Sequence, residues 1–357
     1  MTLPNRDSLP FAVVPFVSIV MPVRNEADFI VRSLSAVLHQ DYPHDRLEVL
    51  IADGMSSDTT RALIAEQFAA VPDIAGCVID NPGHIVPTGL NAALPHAKGS
   101  IIVRVDGHCE IAPDYVSRCV EWLTRAGDQC GCVGGVIETI GDSPLSRTVA
   151  LAMSSRFGVG DSTFRTGTDH PTEVDTVAFP AFRRSALDAA GLFDEELVRN
   201  QDDEYSYRLR ALGYTILLVP DIHAVYYSRS SFRKLWWQYY QYGFWKVRVM
   251  QKHPAQMRPR QFIPPAFVAV LIGGALLMPF SRVIRALWLA VIGLYALATF
   301  GVSARMAAQH GREHLGRLPL AFFLLHAGYG AGFWVGLIKF AGRWRSAALK
   351  ESRAGNV

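Results

Sequence analysis

The chain has no Gly-x-Gly-x-x-Gly opening its first helical stretch and no Walker sequence, so dinucleotide-dehydrogenase and P-loop readings lose their main support. Cysteine is scarce. The five present, Cys77, Cys109, Cys119, Cys130 and Cys132, are odd in number and lack metal-site spacing, since Cys130-Gly-Cys132 has no partner pair elsewhere; they read as reduced, mostly buried thiols. Residues 1–15 form an N-terminal extension containing Arg6 and Asp7 but no long apolar core, which makes a poor secretory signal. The domain that follows is therefore expected in the cytoplasm. Acidic residues are also missing where it matters: none lies between Asp221 and Glu313, although the formal net charge of the whole chain is only +3.

That acid-free stretch is rich in something else. Arg229, Arg233, Lys234, Lys246, Arg248, Lys252, Arg258 and Arg260 crowd the approach to the first apolar segment, where residues 231–261 form a basic, Trp- and Tyr-rich juxtamembrane helix. Beyond it, Phe262 to Phe280, Val283 to Val302 and Leu318 to Phe340 are each apolar over about 20 residues, the length that crosses a hydrocarbon core, and they lack the polar face of a buried core helix. They predict a transmembrane region of two to three helices over residues 262–342, followed by a basic tail over 343–357. A juxtamembrane basic segment suits the anionic cytoplasmic leaflet, each charge contributing about 1 kcal/mol near the surface. Membrane lipid is the nearer polyanion, and no nucleic-acid partner is expected. Three full spans would place Arg343 and Arg345 outside, against the positive-inside tendency, while Arg305, Arg312 and Arg317 lie inside.

The first 230 residues alternate. Phe16 to Met21 is an apolar run stopped by Pro22, Leu47 to Ala52 is another stopped by Asp53-Gly54, and between them Phe29, Ile30, Leu34, Val37 and Leu38 recur at helical spacing. A helix over 59–70, a strand over 77–79, a helix over 89–96 and a strand ending at Asp106 continue the pattern. This predicts an α/β fold, a Rossmann-like mostly parallel sheet with helices on both faces, over residues 16–230. A further strand over 132–138, a helix over 145–157, a mobile loop over 158–175, helical pieces at 186–190 and 202–212 and a strand over 215–219 complete it. Ligands of open parallel sheets gather at the carboxyl ends of the strands. That rule selects Pro22 to Glu26, Asp53 to Asp58, Asp80 and Asp106 to His108.

Two clusters carry chemistry. Ser100-Ile-Ile-Val-Arg-Val ends in Asp106-Gly107-His108, a carboxylate beside a second metal-competent side chain, which can hold a divalent cation and through it a diphosphate. Gln201-Asp202-Asp203-Glu204 can supply a base, or can simply favour the start of a helix by offsetting its dipole.

Taken with Pro22-Val-Arg-Asn-Glu26, Ile51-Ala-Asp53-Gly-Met-Ser-Ser-Asp58, Gly89-Leu-Asn91 and the run from Gln201 to Leu209, these residues resemble the family 2 glycosyltransferases of the nucleotide-sugar-binding GT-A fold. The nearest likeness is to glucosyltransferases of succinoglycan-type exopolysaccharide synthesis. The resemblance implies that Pro22, Val23, Asn25 and Glu26 wall the base and ribose and that Asn91 lies near ribose or sugar. Asp53 at a strand exit can accept a hydrogen bond from a uracil N–H. Asp58 reads as a cap of the helix after it. Asp106 would bind the cation on the phosphates with His108 completing the site; the family's usual second acid is here a histidine, which shifts preference from Mg²⁺ towards Mn²⁺. Matching the family's Glu-Asp-any-Asp pattern puts the general base on Asp202, with Gln201 replacing the usual Glu and Asp203 competing for the role. Gln241 and Trp245 would border the acceptor or the diphosphate, or belong to an interfacial aromatic belt.

The expected function is a membrane-bound, inverting hexosyltransferase of the inner membrane, its catalytic domain cytoplasmic. It would take a UDP-sugar donor and a lipid-linked saccharide acceptor, alongside other glycan-assembly proteins. The rival readings are a processive polysaccharide synthase, for which three short spans and an incomplete Gln-any-any-Arg-Trp element are poor equipment, and a non-catalytic membrane assembly subunit.

Overall fold

The structure is a computed structural model describing residues 14–228 and 230–344. Most of the N-terminal extension, Arg229 and the tail from residue 345 lie outside the described residues. In chain order the elements are β1 (Val17–Val23), α1 (Ile30–Leu38), β2 (Leu47–Asp53), α2 (Thr60–Ala70), β3 (Ala75–Asp80), α3 (Val86–Ala93), β4 (Ile101–Arg104), β5 (Cys109–Ile111), α4 (Tyr115–Ala126) and β6 (Cys130–Ile140). There follow α5 (Pro144–Met153), α6 (Arg156–Val159), α7 (Thr163–Thr166), β7 (Thr172–Glu173), β8 (Ala178–Arg183), α8 (Arg184–Ala190), α9 (Gln201–Ala211), β9 (Thr215–Tyr227) and the long helices α10 (Phe232–Lys252), α11 (Ile263–Leu277), α12 (Arg282–His310) and α13 (Leu318–Lys339).

The strands form one nine-stranded sheet in the order β3-β2-β1-β4-β8-β6-β9-β5, with β7 beside β9. Every residue of β1 and β2 is buried, as suits the mostly apolar runs of central parallel strands, and the polar residues inside them, Ser18 and Glu48, bond to each other. β1 pairs in parallel with β2 and β4, and β2 with β3, so all four strand exits point the same way. The sheet departs from the mostly parallel arrangement expected beyond β4. There β8 runs antiparallel to both β4 and β6, and β7 antiparallel to β9, making the sheet mixed. β8 carries Pro180 in mid-strand, and the ladder slips there: Val133 faces Ala181 while Gly135 faces Ala178, with Phe179 at φ +47°. A proline inside a strand is tolerated at such a bulge, where a donor is already missing from the ladder.

The chain divides into two compact units. Among the described residues the first holds 14–136, 169–195 and 208–224, and the second 137–168, 196–207, 225–228 and 230–344. In the second, three helical stretches, Pro259–Leu277, Arg282–His310 and Leu318–Lys339, are long and apolar enough to cross a membrane. Leu287, Leu294, Leu297 and Phe300 on α12 lie exposed, a surface suited to lipid. α13 packs backbone to backbone against α10, and small residues allow it: a Cβ on Gly243 would fall 1.9 Å from the Tyr329 carbonyl, and one on Gly332 1.9 Å from the Tyr240 carbonyl.

Candidate active site

The strand exits of the first unit are tied to one another by side chains. After β1 the backbone turns through Asn25 at φ +52°, a left-handed conformation that asparagine tolerates. Asn25 Oδ1 accepts the Ser57 N–H at 2.9 Å, and its own N–H donates to Ser56 Oγ at 2.9 Å. Pro22 and Val23 are buried within β1, and Gly89 lets α3 come close: a Cβ there would lie 3.3 Å from that of Ala52 and 3.5 Å from that of Pro22. Asp58 accepts the Thr60 N–H at 3.0 Å and the Ala27 N–H at 3.3 Å from one position before the N-cap, which is Thr59, so it ties the start of α2 to the turn after β1. Its hydrogen bonding, led by Thr60, holds its carboxyl below the usual range.

Asp53 is fully buried, and both its oxygens are engaged. Ser56 donates to it from backbone N–H, at 3.0 Å to Oδ2, and from its hydroxyl, and Arg61 donates through Nε. The other arm of Arg61 reaches Asp80 at the exit of β3. Asp53 thus sets the loop after β2, while the half-exposed Arg61 and the exposed Asp80 present polar groups outward. Asn91 is likewise engaged: its Nδ2 donates to the Phe193 carbonyl and to Glu195 Oε1, both at 2.9 Å, and its Oδ1 accepts the Phe193 N–H at 2.8 Å.

The Asp106 to His108 turn follows β4. Arg104 grips Asp106 with two arms, Nε to Oδ1 at 3.0 Å and NH2 to Oδ2 at 3.2 Å. His108 Nδ1 lies 3.1 Å from Glu26 Oε1. Gly107 makes this approach possible, since a Cβ there would fall 3.0 Å from Val23 Cγ1 and 3.1 Å from Glu26 Cγ. Among the described residues no three His, Cys, Asp or Glu side chains gather as a metal cluster. The residues nevertheless fit a cation that a diphosphate helps to hold. A carboxylate offers about four lone pairs and the Arg104 fork leaves part of that capacity on Asp106, and a histidine backed by a carboxylate is a common form of metal ligand.

In the second unit α9 opens with Asp202, Asp203 and Glu204 in its first turn, where carboxylates offset the helix dipole. The three are not equivalent. Asp203 is ion-paired with Lys246 of α10, whose side chain is 6 % exposed. Burial pulls Lys246 down, but the charge of Asp203 outweighs it and holds the ammonium above the usual lysine range. Glu204 lies 3.0 Å from His253 Nε2, and Asp202 Oδ1 receives the Asp203 N–H at 3.0 Å. The segment leading into α9 is anchored by Glu196, which meets Arg248 at 2.9 and 2.8 Å, Lys252 at 3.0 Å, and Arg343. Burial alone would raise Glu196; hydrogen bonds and charge from Arg248 and Lys252 win and bring it down to about 2. Gln241 Oε1 accepts from Arg199 Nε at 3.1 Å, and Trp245 packs among Leu197, Tyr207, Val249 and Phe340.

A family model described as Glycosyl transferase family 2 matches residues 18–191, the strand-exit half of these features. The succinoglycan biosynthesis protein ExoA of Rhizobium meliloti (strain 1021) is 33 % identical over 91 % of this chain and 96 % of its own length. The chain belongs to glycosyltransferase family 2. A dolichyl N-acetyl-alpha-D-glucosaminyl phosphate 3-beta-D-2,3-diacetamido-2,3-dideoxy-beta-D-glucuronosyltransferase of Methanococcus voltae is 26 % identical over 91 % of this chain and 98 % of its own. The mannosyltransferase PcManGT of Pyrobaculum calidifontis, solved with GDP-Man and Mn²⁺, shares the fold at a TM-score of 0.57 and 23 % identity, over 89 % of this chain and 88 % of that one.

For a family 2 glycosyltransferase, four polar partners went unforeseen in the sequence: Arg61, Arg104, Lys246 and the pairing of Glu26 with His108. Arg104 had a signal, being the one charge inside an apolar strand, two residues before Asp106. Lys246 had none, because its partner lies 43 positions away.

Proposed function

We propose that this glycosyltransferase is an inverting enzyme of the cytoplasmic face of the inner membrane. It moves a hexose, with glucose the expected sugar, from a UDP-sugar to a lipid-linked saccharide in exopolysaccharide or other cell-surface glycan synthesis. The observation that carries the mechanism is the ion pair of Asp203 with buried Lys246, which commits that carboxylate to a structural partner and supports Asp202 as the base. Asp202 takes the proton of the acceptor hydroxyl, whose oxygen forms the new bond to the anomeric carbon. The bond from that carbon to the diphosphate breaks, UDP carries away the electron pair, and a single displacement inverts the centre. Asp106 and His108 would hold a divalent cation, which when bound neutralises charge on the departing diphosphate.

The three apolar helices and the basic segment before them support a substrate held in a membrane. The likeness to a succinoglycan biosynthesis protein and to a transferase named for a dolichyl-linked acceptor points the same way. Asp202→Asn tests the reading: it should keep UDP affinity and lose transfer by about 10²–10⁴-fold, the usual contribution of a general base. Transfer undiminished in that variant overturns the mechanism.

A further inference from the structure

The second unit holds a polar cluster that this chemistry does not use. Arg165 of α7 lies over the rings of Phe164 and Tyr226, 5.4 Å from each centroid, and reaches Thr139 Oγ1 at 3.4 Å. On Tyr226 it meets α10: Gln238 donates from Nε2 to the hydroxyls of Tyr226 at 3.2 Å and Tyr242 at 3.0 Å. Asn200 donates to the Tyr242 carbonyl at 2.9 Å, and its neighbour Arg199 donates to Gln241. Burial raises the pKa of the Tyr242 hydroxyl, and Arg165 and Arg199 both pull it back, so the two guanidiniums act on the same group.

Charge and hydrogen bonding are both left open here. Lys246, Arg248, Lys252 and Arg260 of this unit all pair with carboxylates. Arg165 and Arg199 have no carboxylate partner among the described residues. Gln238 is 8 % exposed, yet its Oε1 has no hydrogen-bond partner. A buried acceptor without a donor is costly, on the order of 1–3 kcal/mol, and two guanidiniums call for an anion. A ligand that satisfied both would bring anionic oxygens and a hydroxyl donor together.

We infer that this cluster binds a sugar phosphate: anionic oxygens on Arg165 and Arg199, and a sugar hydroxyl donating to Gln238 Oε1. The inference rests on the lipid-linked acceptor reading and assigns to this cluster the sugar phosphate of that acceptor. The same phosphate chemistry could come from the donor diphosphate, and the test separates the two sources.

The full chain in detergent is titrated with glucose 1-phosphate at saturating UDP, with inorganic phosphate as the comparison ligand, and UDP affinity is measured separately. Glucose 1-phosphate should bind at least tenfold more tightly than inorganic phosphate. Arg165→Gln should weaken it tenfold or more and leave UDP affinity within twofold. Gln238→Glu, which preserves shape and supplies the absent carboxylate, should weaken it as much, and it serves as the deciding variant if Arg165→Gln loses its thermal transition. The inference is overturned if Gln238→Glu leaves glucose 1-phosphate binding unchanged, if inorganic phosphate binds equally well, or if UDP affinity falls in parallel. UDP binding and Asp202-dependent transfer that survive such a result would leave the transferase reading standing.

Discussion

Replacing Asp203 by Asn should damage the fold more than the chemistry. The substitution leaves the Lys246 ammonium buried, at 6 % exposure, opposite a neutral amide, and removing one member of a buried ion pair typically costs about 3–5 kcal/mol. Asp203 itself is 21 % exposed, so water relieves part of that, and about 2–4 kcal/mol is the expected loss. For a chain of 357 residues that lowers the unfolding midpoint by roughly 3–5 °C. The assay is thermal unfolding of the full chain in detergent, followed by tryptophan fluorescence, with transfer rates measured well below the midpoint. Asp203→Asn should keep most of its rate there. Combining Asp203→Leu with Lys246→Met should recover the stability to within about 1 kcal/mol, because no charge is then left unpaired. An Asp203→Asn protein with an unchanged midpoint and no transfer would refute the structural role and move the base by one residue.

Two further outcomes follow from the second unit. Glu196 is held down to about 2, so its pairing stabilises fully above the ordinary carboxylate range and is lost as pH falls from about 5 towards 2; Glu196→Gln should flatten that part of the stability profile and cost on the order of 1–2 kcal/mol at neutral pH after solvent screening. A profile of unchanged slope in Glu196→Gln would count against the clamp. Gly243→Ala should cost about 1–3 kcal/mol by driving a methyl against the Tyr329 carbonyl, whereas Gly301→Ala, with nothing within 4 Å, should be neutral or slightly stabilising; equal midpoints for the two would contradict the close packing of α10 on α13.

The parallel half of the sheet was plain in the sequence because buried parallel strands read as near-continuous apolar runs, and each of the first runs ended in the polar residues that now mark its exit. The apolar spans were plain for a similar reason of length. β8 was hidden. Its Pro180 argues against a central strand, and only the slipped register between Ala178 and Ala181 makes room for it. α4 went unread despite a clear signal, since Val116, Cys119, Val120 and Leu123 recur at helical spacing and are all buried. The site divides in the same way. Asp106 and His108 sit on one short turn and could be found together, but Glu26 faces His108 across 82 positions, a separation no local pattern encodes.

The acidic first turn of α9 and the three long apolar helices belong to one compact unit, and α10 ties them together. One residue of α10, Lys246, fixes Asp203 beside the proposed base. Another, Arg248, grips Glu196 ahead of α9 and lies over the Phe340 ring just past α13. Between the two sits Val247, packed on Phe333 of α13, and one turn earlier Gly243 allows the helices to touch. Helix α10 thus ties the acidic turn that holds Asp202 to the apolar helix α13 through short, packed connections, an arrangement that suits the proposed base and the proposed lipid-linked acceptor. The basic and aromatic character of α10, which by composition alone suggested a surface segment, is in large part the chemistry of this coupling.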